Sequence, residues 1–415
     1  MKRRVVITGI GLLTPLGTGI RENLDALTTG RSGITRITRF DASQFATQIA
    51  GELKNFDPTA WMSRRDARNM DRFQQLAIAA GADALRDSGL EEGFSPESAE
   101  RAGCYVGSGW GGLGTLQTTW STYLAKGPRF GFSPYAVSGS IINLASGQLA
   151  IRHNIQGPTM SHVSACSTGA HAIGEAMRAI QWGICDVVLA GGTEAPIEPL
   201  GIGCFGAIRA LSLRNDAPEQ ASRPFDRDRD GFVLSEGACV LVLEEMQRAL
   251  QRSARIYAEI CGYGASTDAH HVTEPAPDGV GAQRCIKFAL ADAGITREEI
   301  GYINAHGTST RFNDAVETRA IKGVFQEHAR RIAISSTKSM TGHMMGAAGA
   351  AETAFSALTL ANDCLFPTIN YENPDPECDL DYVPNQARQQ RVKYVMNNNF
   401  GFGGTNACLV LGRVE

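Results

Sequence analysis

Residues 161–182 read SHVSACSTGAHAIGEAMRAIQW, and the rest of the chain is read from this stretch. Residues 161–165 are small and partly β-branched, as suits the end of a buried strand. Cys166 follows, and Ser167, Thr168 and Gly169 turn the chain. From Ala170 to Trp182 the apolar side chains Ile173, Ala176, Met177 and Ile180 recur at the spacing of one helix face. Strand, tight turn and helix together set one thiol at a helix N-terminus. Unpaired N–H groups and the helix dipole there favour thiolate over thiol. This is the cysteine counterpart of a nucleophile elbow. A cysteine is more often a small buried hydrophobe, but the strand–turn–helix setting favours the nucleophile.

The 415 residues exceed one average domain. A hydrophobic content of 43% with 20% charged residues supports a sizeable core, and the 46 glycines imply many tight turns. A net charge of −4 gives no reason to expect nucleic acid. None of the ten cysteines stands at C-x-x-C spacing, so they read as reduced thiols of a cytoplasmic protein. The basic start and the apolar run after it imitate a signal peptide. Thr8, Gly9, Gly11, Thr14 and Pro15 interrupt that run, and residues 5–8 are expected as a buried strand. No apolar stretch reaches membrane-spanning length, so no membrane association is expected.

Two motifs are decoys. GSGWGG over 107–112 follows a strand expected over 103–106 and fits G-x-G-x-x-G. No Asp or Glu occurs between Glu100 and Glu175 to hold a ribose, which argues against a dinucleotide. The same acid-free window holds Arg101, Lys126, Arg129 and Arg152, a possible positive surface for an acidic partner. DRDRDG over 226–231 begins like a calcium loop, but its closing glutamate, Glu236, falls one place early and Arg227 and Arg229 offset the charge.

Further along, strands are expected over 186–192, 240–243, 257–263, 300–305, 331–335 and 408–411. Helices are expected over 20–27, 73–85, 244–252 and 283–293. Residues 31–63 read as irregular, and NNNFGFGGTN before the last strand reads as a glycine-rich loop able to approach an active site closely. The helix after His343, MMGAAGAAETAFSALTLA, matches the one after Cys166 in its small residues. Two such units half a chain apart suggest duplication, with halves at 1–253 and 254–415. Among eight histidines, only His306 and His343 stand where a strand ends in a Gly/Thr/Ser turn, with Lys338 five residues before the second. Zinc is not expected, because neither HExxH nor a cysteine–histidine cluster at ligand spacing is present.

SACSTG around Cys166, NAHGTST around His306, SSTKSMTGHMMGAAGAAE around His343, NNFGFGGTN and RPFDRDRDGFVLSEGA together resemble the β-ketoacyl-acyl carrier protein synthases, most closely their elongating branch, synthase II. The resemblance runs from Arg4 to Leu411 in motif order. It implies an α/β thiolase-like fold of two similar halves forming a five-layer αβαβα sandwich, and a homodimer. It implies a decarboxylating Claisen condensation that extends a Cys166-bound acyl chain by two carbons from malonyl-acyl carrier protein. Cys166 would be the nucleophile, and His306 and His343 neutral donors to an enolate. Lys338 and Glu352 would orient the histidines, and the N–H groups of Cys166 and Phe402 would form the oxyanion hole. Phe400 and Phe402 would gate the site, Thr308 and Thr310 hold the pantetheine arm, and Phe205 contact substrate. No cofactor is implied beyond the phosphopantetheine of the carrier protein. Arg65, Arg68, Arg129 and Arg209 match carrier-docking positions, whereas Asn69 and Phe130 replace positions that are often basic.

The family position of Trp110 is usually a small aliphatic residue lining the acyl tunnel, and Ala136 stands where a dimer partner often contributes phenylalanine. A shortened or reshaped tunnel is therefore expected. Alternatives are a ketosynthase of a specialised polyketide or polyene pathway and a non-catalytic subunit of a ketosynthase heterodimer. The latter typically lacks the nucleophile that Cys166 supplies.

Overall fold

The computed structural model describes residues 2–414. Ten strands carry the fold. In the first half they are β1 (Val5–Thr14), β2 (Ala102–Gly107), β3 (Thr159–Met160), β4 (Val187–Glu194) and β5 (Gly237–Glu245). In the second they are β6 (Ala258–Thr267), β7 (Ile300–Asn304), β8 (Ala333–Ser335), β9 (Tyr394–Gly401) and β10 (Thr405–Gly412). They hydrogen-bond in the order β3-β2-β4-β5-β1-β6-β10-β9-β7-β8. Outward from the β1–β6 seam the halves repeat each other, strand n matching strand n+5. Directions repeat too: β2 runs parallel to β3 and β4, β7 runs parallel to β8 and β9, and the β4–β5 and β9–β10 pairs are antiparallel. The seam itself holds only Val6 with Glu259 and Ile7 with Ala258.

Helices α1 (Arg72–Ser88) and α2 (Leu144–Arg152) cover the outer face of the first half. Between the halves lie α3 (Thr168–Gln181) and α6 (Ala348–Asn362), each touching strands of both. On the far side lie α4 (Val280–Ala293) and α5 (Arg311–Phe325). This is the five-layer αβαβα sandwich. The helix α6 is buried from Ala348 to Leu360, so it is apolar or small on every face, as a middle layer requires. Its contact with α3 is backbone-close and reciprocal. A Cβ on Gly169 would lie 2.7 Å from the Ala350 nitrogen, and one on Gly349 would lie 2.8 Å from the Ala170 nitrogen.

Several expectations need correction. Residues 161–165 are not strand: β3 is two exposed residues at the sheet edge, and Ala165 takes a left-handed φ of 50°. The first strand runs on to Thr14 as an unbroken buried run, the pattern of a strand covered on both faces. The glycine-rich loop before the last strand shrinks to Phe402–Gly404, since β9 continues through Asn397, Asn398 and Asn399 to Gly401. The region 31–63 contains one two-residue ladder, Thr35–Arg36 on Ile49–Ala50, and the 3-10 turn Pro58–Ala60.

Candidate active site

Cys166 sits in the 3-10 turn Ala165–Ser167, which leads directly into α3. Ser167 pins that turn to the second half, its hydroxyl donating to the carbonyls of Asn399 (3.1 Å) and Thr405 (2.8 Å). The thiol is 4% exposed. Burial pushes it up to about 12, against the pull of the Lys338 charge and of the N–H groups of Phe402 and of Cys166 itself. Desolvation here works against the turn's donors, the opposite direction to the thiolate expected of a helix terminus. Its sulfur lies 3.0 Å from His343 Nε2.

His306 leaves the end of β7, and its N–H and that of Gly307 donate to the two oxygens of Glu317 on α5 (2.9 and 2.8 Å). Burial raises this carboxyl to about 7 while those amides pull it down. His343 is held through its backbone, donating to Val233 O at 2.7 Å and accepting from Ser235 N at 3.0 Å. The imidazole rings stand edge to face, 5.5 Å apart. Burial, and then the Lys338 charge, hold both well below the ordinary histidine range, so both are neutral. Lys338 Nζ reaches His306 Nδ1 at 3.4 Å and Glu352 Oε1 at 2.5 Å, and Asn399 Nδ2 donates to the other Glu352 oxygen at 2.6 Å. Burial raises Glu352, opposed by Lys338 and Asn399.

Cys166, His306 and His343 bring their ligand atoms within 4.8 Å of one another, a convergence that no sequence spacing reveals. Their chemistry suits an oxyanion better than a cation. An ammonium on His306 Nδ1 places the ring proton on Nε2, making it a donor, and sets a positive charge beside the trio.

The trio lines a cavity of about 390 Å³. Phe205, Phe400 and Phe402 line it as well, together with Thr308, Thr310 and Arg209. The two threonine hydroxyls are 3.1 Å apart. Trp110 is half-buried behind this wall, edge-on to Phe205 with ring centroids 5.3 Å apart. It belongs to the apolar cluster that contains Cys166 and Phe205 but does not line the cavity. Ala136 lies away from this cavity, on the surface helix Ala136–Ser140. Arg65, Arg68 and Arg129 are exposed and outside the cavity wall.

The decoy motifs have structural occupants. Ser108 Oγ, Gly109 N and Trp110 N donate to the buried Glu194 at 2.7, 2.7 and 3.0 Å. The donors that a dinucleotide phosphate would need already hold a carboxylate of the chain. Asp226 accepts from Arg223 Nε and from the Asp228, Glu372 and Asn373 amides, tying the false calcium loop to the C-terminal region. The basic window is thinner than its composition implied, because Arg101 pairs with Asp186 and Arg152 with Asp66. Sequence reasoning missed Glu194 and Glu317. A lone acid ending an otherwise apolar strand (VVLAGGTE), or acids on the apolar face of a helix (Asp314 and Glu317 in DAVETRAI), are the signals that mark such residues.

The β-ketoacyl synthase N-terminal domain matches residues 2–249 and the corresponding C-terminal domain residues 257–372. The chain is 52% identical to 3-oxoacyl-(acyl-carrier-protein) synthase 2 of Coxiella burnetii over 413 residues, 100% of this chain and 99% of that one. It is 47% identical to the protein of the same name from Vibrio cholerae over 415 residues, covering both chains fully. Among solved structures, the ishigamide ketosynthase/chain length factor superposes with a TM-score of 0.92 at 36% identity, each chain covered fully. A type II polyketide ketosynthase, solved with its acyl-carrier protein and bound to the hexaketide, gives 0.89 at 34%, again with full coverage of both. With both family domains matched and relatives near half-identical from end to end, the chain belongs to the β-ketoacyl synthase family.

Proposed function

We propose that this chain extends an acyl group by two carbons in a decarboxylating Claisen condensation with malonyl-acyl carrier protein, as in fatty-acid elongation. The observation that carries this reading is the Cys166 sulfur 3.0 Å from His343 Nε2, with neutral His306 alongside, in the wall of one cavity. In the first half-reaction the Cys166 sulfur attacks the acyl thioester carbonyl. The carrier's sulfur leaves and takes up the thiol proton, while His343 Nε2–H, 3.0 Å from the Cys166 sulfur, donates to the developing thiolate. The N–H groups of Phe402 and Cys166, which already bear on the sulfur, receive the tetrahedral oxyanion.

In the second half-reaction the bond from the malonyl α-carbon to its carboxylate breaks, releasing carbon dioxide. The electron pair passes into the thioester as an enolate, whose oxygen accepts from the N–H groups of His306 and His343. Lys338, held by Glu352, fixes the His306 proton on Nε2 for this task. The enolate carbon then attacks the Cys166 acyl carbon, the carbon–sulfur bond breaks, and the sulfur leaves as thiolate and takes from solvent the proton that the reaction consumes. Thr308 and Thr310 hold the pantetheine arm, Phe400 and Phe402 separate the acyl and malonyl positions, and Trp110 backs Phe205 at the acyl end.

Acyl carrier protein docks on Arg65, Arg68, Arg129 and Arg209, none of which has an ion-pair partner among the described residues. The working unit is a homodimer, supported by the open β3 edge with exposed Met160 and Val163 at and beside it in the chain, and by exposed Val137 on the helix Ala136–Ser140. A heterodimer with a second ketosynthase-like chain is the alternative assembly. The halves divide at residue 253, and the protein works in the cytoplasm; among the described residues no helix is long and apolar enough to cross a membrane. The test is direct: acyl- and malonyl-carrier proteins supplied together should yield carbon dioxide and a β-ketoacyl carrier in equal amounts. No carbon dioxide release in the presence of both substrates would contradict it.

A further inference from the structure

The false calcium loop, residues 226–231, and Arg223 just before it lie against the turn that carries Thr308 and Thr310. Ser309, between those threonines, has a left-handed φ of 70° and is held from three directions. Its carbonyl accepts from Gly231 N at 3.1 Å, its hydroxyl from Arg223 N at 2.9 Å, and its own N–H donates to Asp314 at 3.2 Å. A strained residue of this kind persists only where its surroundings over-determine it. The next two carbonyls are captured by one side chain. Arg229 Nε donates to Thr310 O and its Nη2 to Arg311 O, both at 3.0 Å. Its Nη1 donates to Asp226 O at 2.8 Å and Asp375 at 2.6 Å. The guanidinium is 4% exposed and does not line the cavity, so it touches no substrate.

We propose that Arg229 is a positioning residue for the pantetheine arm. Its planar fork clamps the Thr310–Arg311 backbone against the C-terminal region, so that the hydroxyls of Thr308 and Thr310 face the channel. This rests on the assignment of those threonines to the pantetheine arm. A lysine ammonium places its donors at one point and cannot span Thr310, Arg311 and Asp375 together.

The measurement is the concentration dependence of Cys166 acylation by two donors of one short acyl group: its pantetheine thioester, and its S-ethyl thioester, which has no amide to hold. Arg229→Lys raises the half-saturating concentration of the pantetheine donor about tenfold, the cost of roughly one misplaced hydrogen bond to a buried site. It leaves the S-ethyl rate, and alkylation of Cys166 by iodoacetamide, within about twofold. Asp375→Asn, which keeps an acceptor but removes the charge, gives a smaller shift of the same kind and serves if Arg229→Lys does not fold. Equal losses with both donors, or no shift in either folded variant, overturn the proposal. Thr310→Val separates the two layers. If it discriminates between donors and the Arg229 and Asp375 variants do not, the positioning role alone fails. If Thr310→Val and Thr308→Val do not discriminate either, the pantetheine assignment fails and the inference falls with it.

Discussion

At Ala165–Ser167 the chain reaches α3 through a residue with φ of 50° and one 3-10 turn, and at Met345–Ala347 it reaches α6 through a residue with φ of 45° and the same kind of turn. The turns lie 180 residues apart and face each other across the Gly169–Gly349 contact. They differ in what stands at the end of the neighbouring strand. Strand β4 ends in Glu194, whose carboxylate accepts from Gly346 N at 2.9 Å and from the 108–110 loop, filling the second turn. The matching residue at the end of β9 is Gly401, which fills nothing. A Cβ there would lie 2.8 Å from Ser164 O and 3.2 Å from Cys166 N. One turn is plugged by a carboxylate, and the other keeps its amides and its thiol open to the cavity. The architecture stands twice, but the nucleophile stands once, Cys166 against Gly346, and the strand end beside that nucleophile is the one left open.

The largest effects lie in the histidines beside the open turn. His306→Ala should slow decarboxylation by about 10²–10⁴-fold and leave self-acylation of Cys166 nearly unchanged, because its ring meets the enolate and not the sulfur. His343→Ala should slow both half-reactions, since it lies 3.0 Å from the thiol. Separate rates for carbon dioxide release and acyl uptake check this. Identical profiles for the two variants would break the assignment. A pH series sharpens it. With the thiol pushed up to about 12, alkylation of Cys166 should keep accelerating through the alkaline range, since raising pH converts thiol to thiolate; a plateau near neutrality would mean the turn's donors win after all.

Gly401→Ala attacks the comparison itself by half-filling the open turn. Acyl transfer should fall by about 10–100-fold, the cost of displacing the reacting groups by a fraction of an ångström, with thermal stability as the control. Full activity in a folded variant would show that the open strand end is incidental.

How much of this was legible from sequence follows from where the partners lie. Cys166, His306 and His343 each stand in a small-residue turn, and turn chemistry is local. Strand β9 was partly hidden because Asn397, Asn398 and Asn399 interrupt its apolar pattern. Their partners are on α6 and α5, at Gly349, Thr353, Glu352 and Glu317. The ionisation of Cys166 is only half legible for a related reason: a helix terminus is visible in sequence, whereas the burial that opposes it is not. Arg101 and Arg152 read as a basic surface because Asp186 and Asp66 stand some 85 residues away.

The smallest expected effect concerns Trp110, which backs onto Phe205 at the acyl end of the open turn. Trp110→Ala should shift the preferred saturated donor toward longer chains, changing relative acylation rates by about tenfold, in the range that hydrophobic pockets discriminate. Rates against chain length, with melting temperature as the control, decide between a tunnel wall and a packing residue. An unchanged length profile in a folded variant returns Trp110 to the core.

The claim that only the open turn is reactive is tested most directly by mapping where the acyl group goes. Cys204 is the exposed cysteine among the ten, whereas Cys166 is 4% exposed. If accessibility alone governed, Cys204 would carry the label. Peptide mass mapping after incubation with acyl-carrier protein should find one acyl group per chain, on Cys166, and none in the Cys166→Ala variant. Stable acylation of Cys204 or any other cysteine with Cys166 untouched would contradict the account.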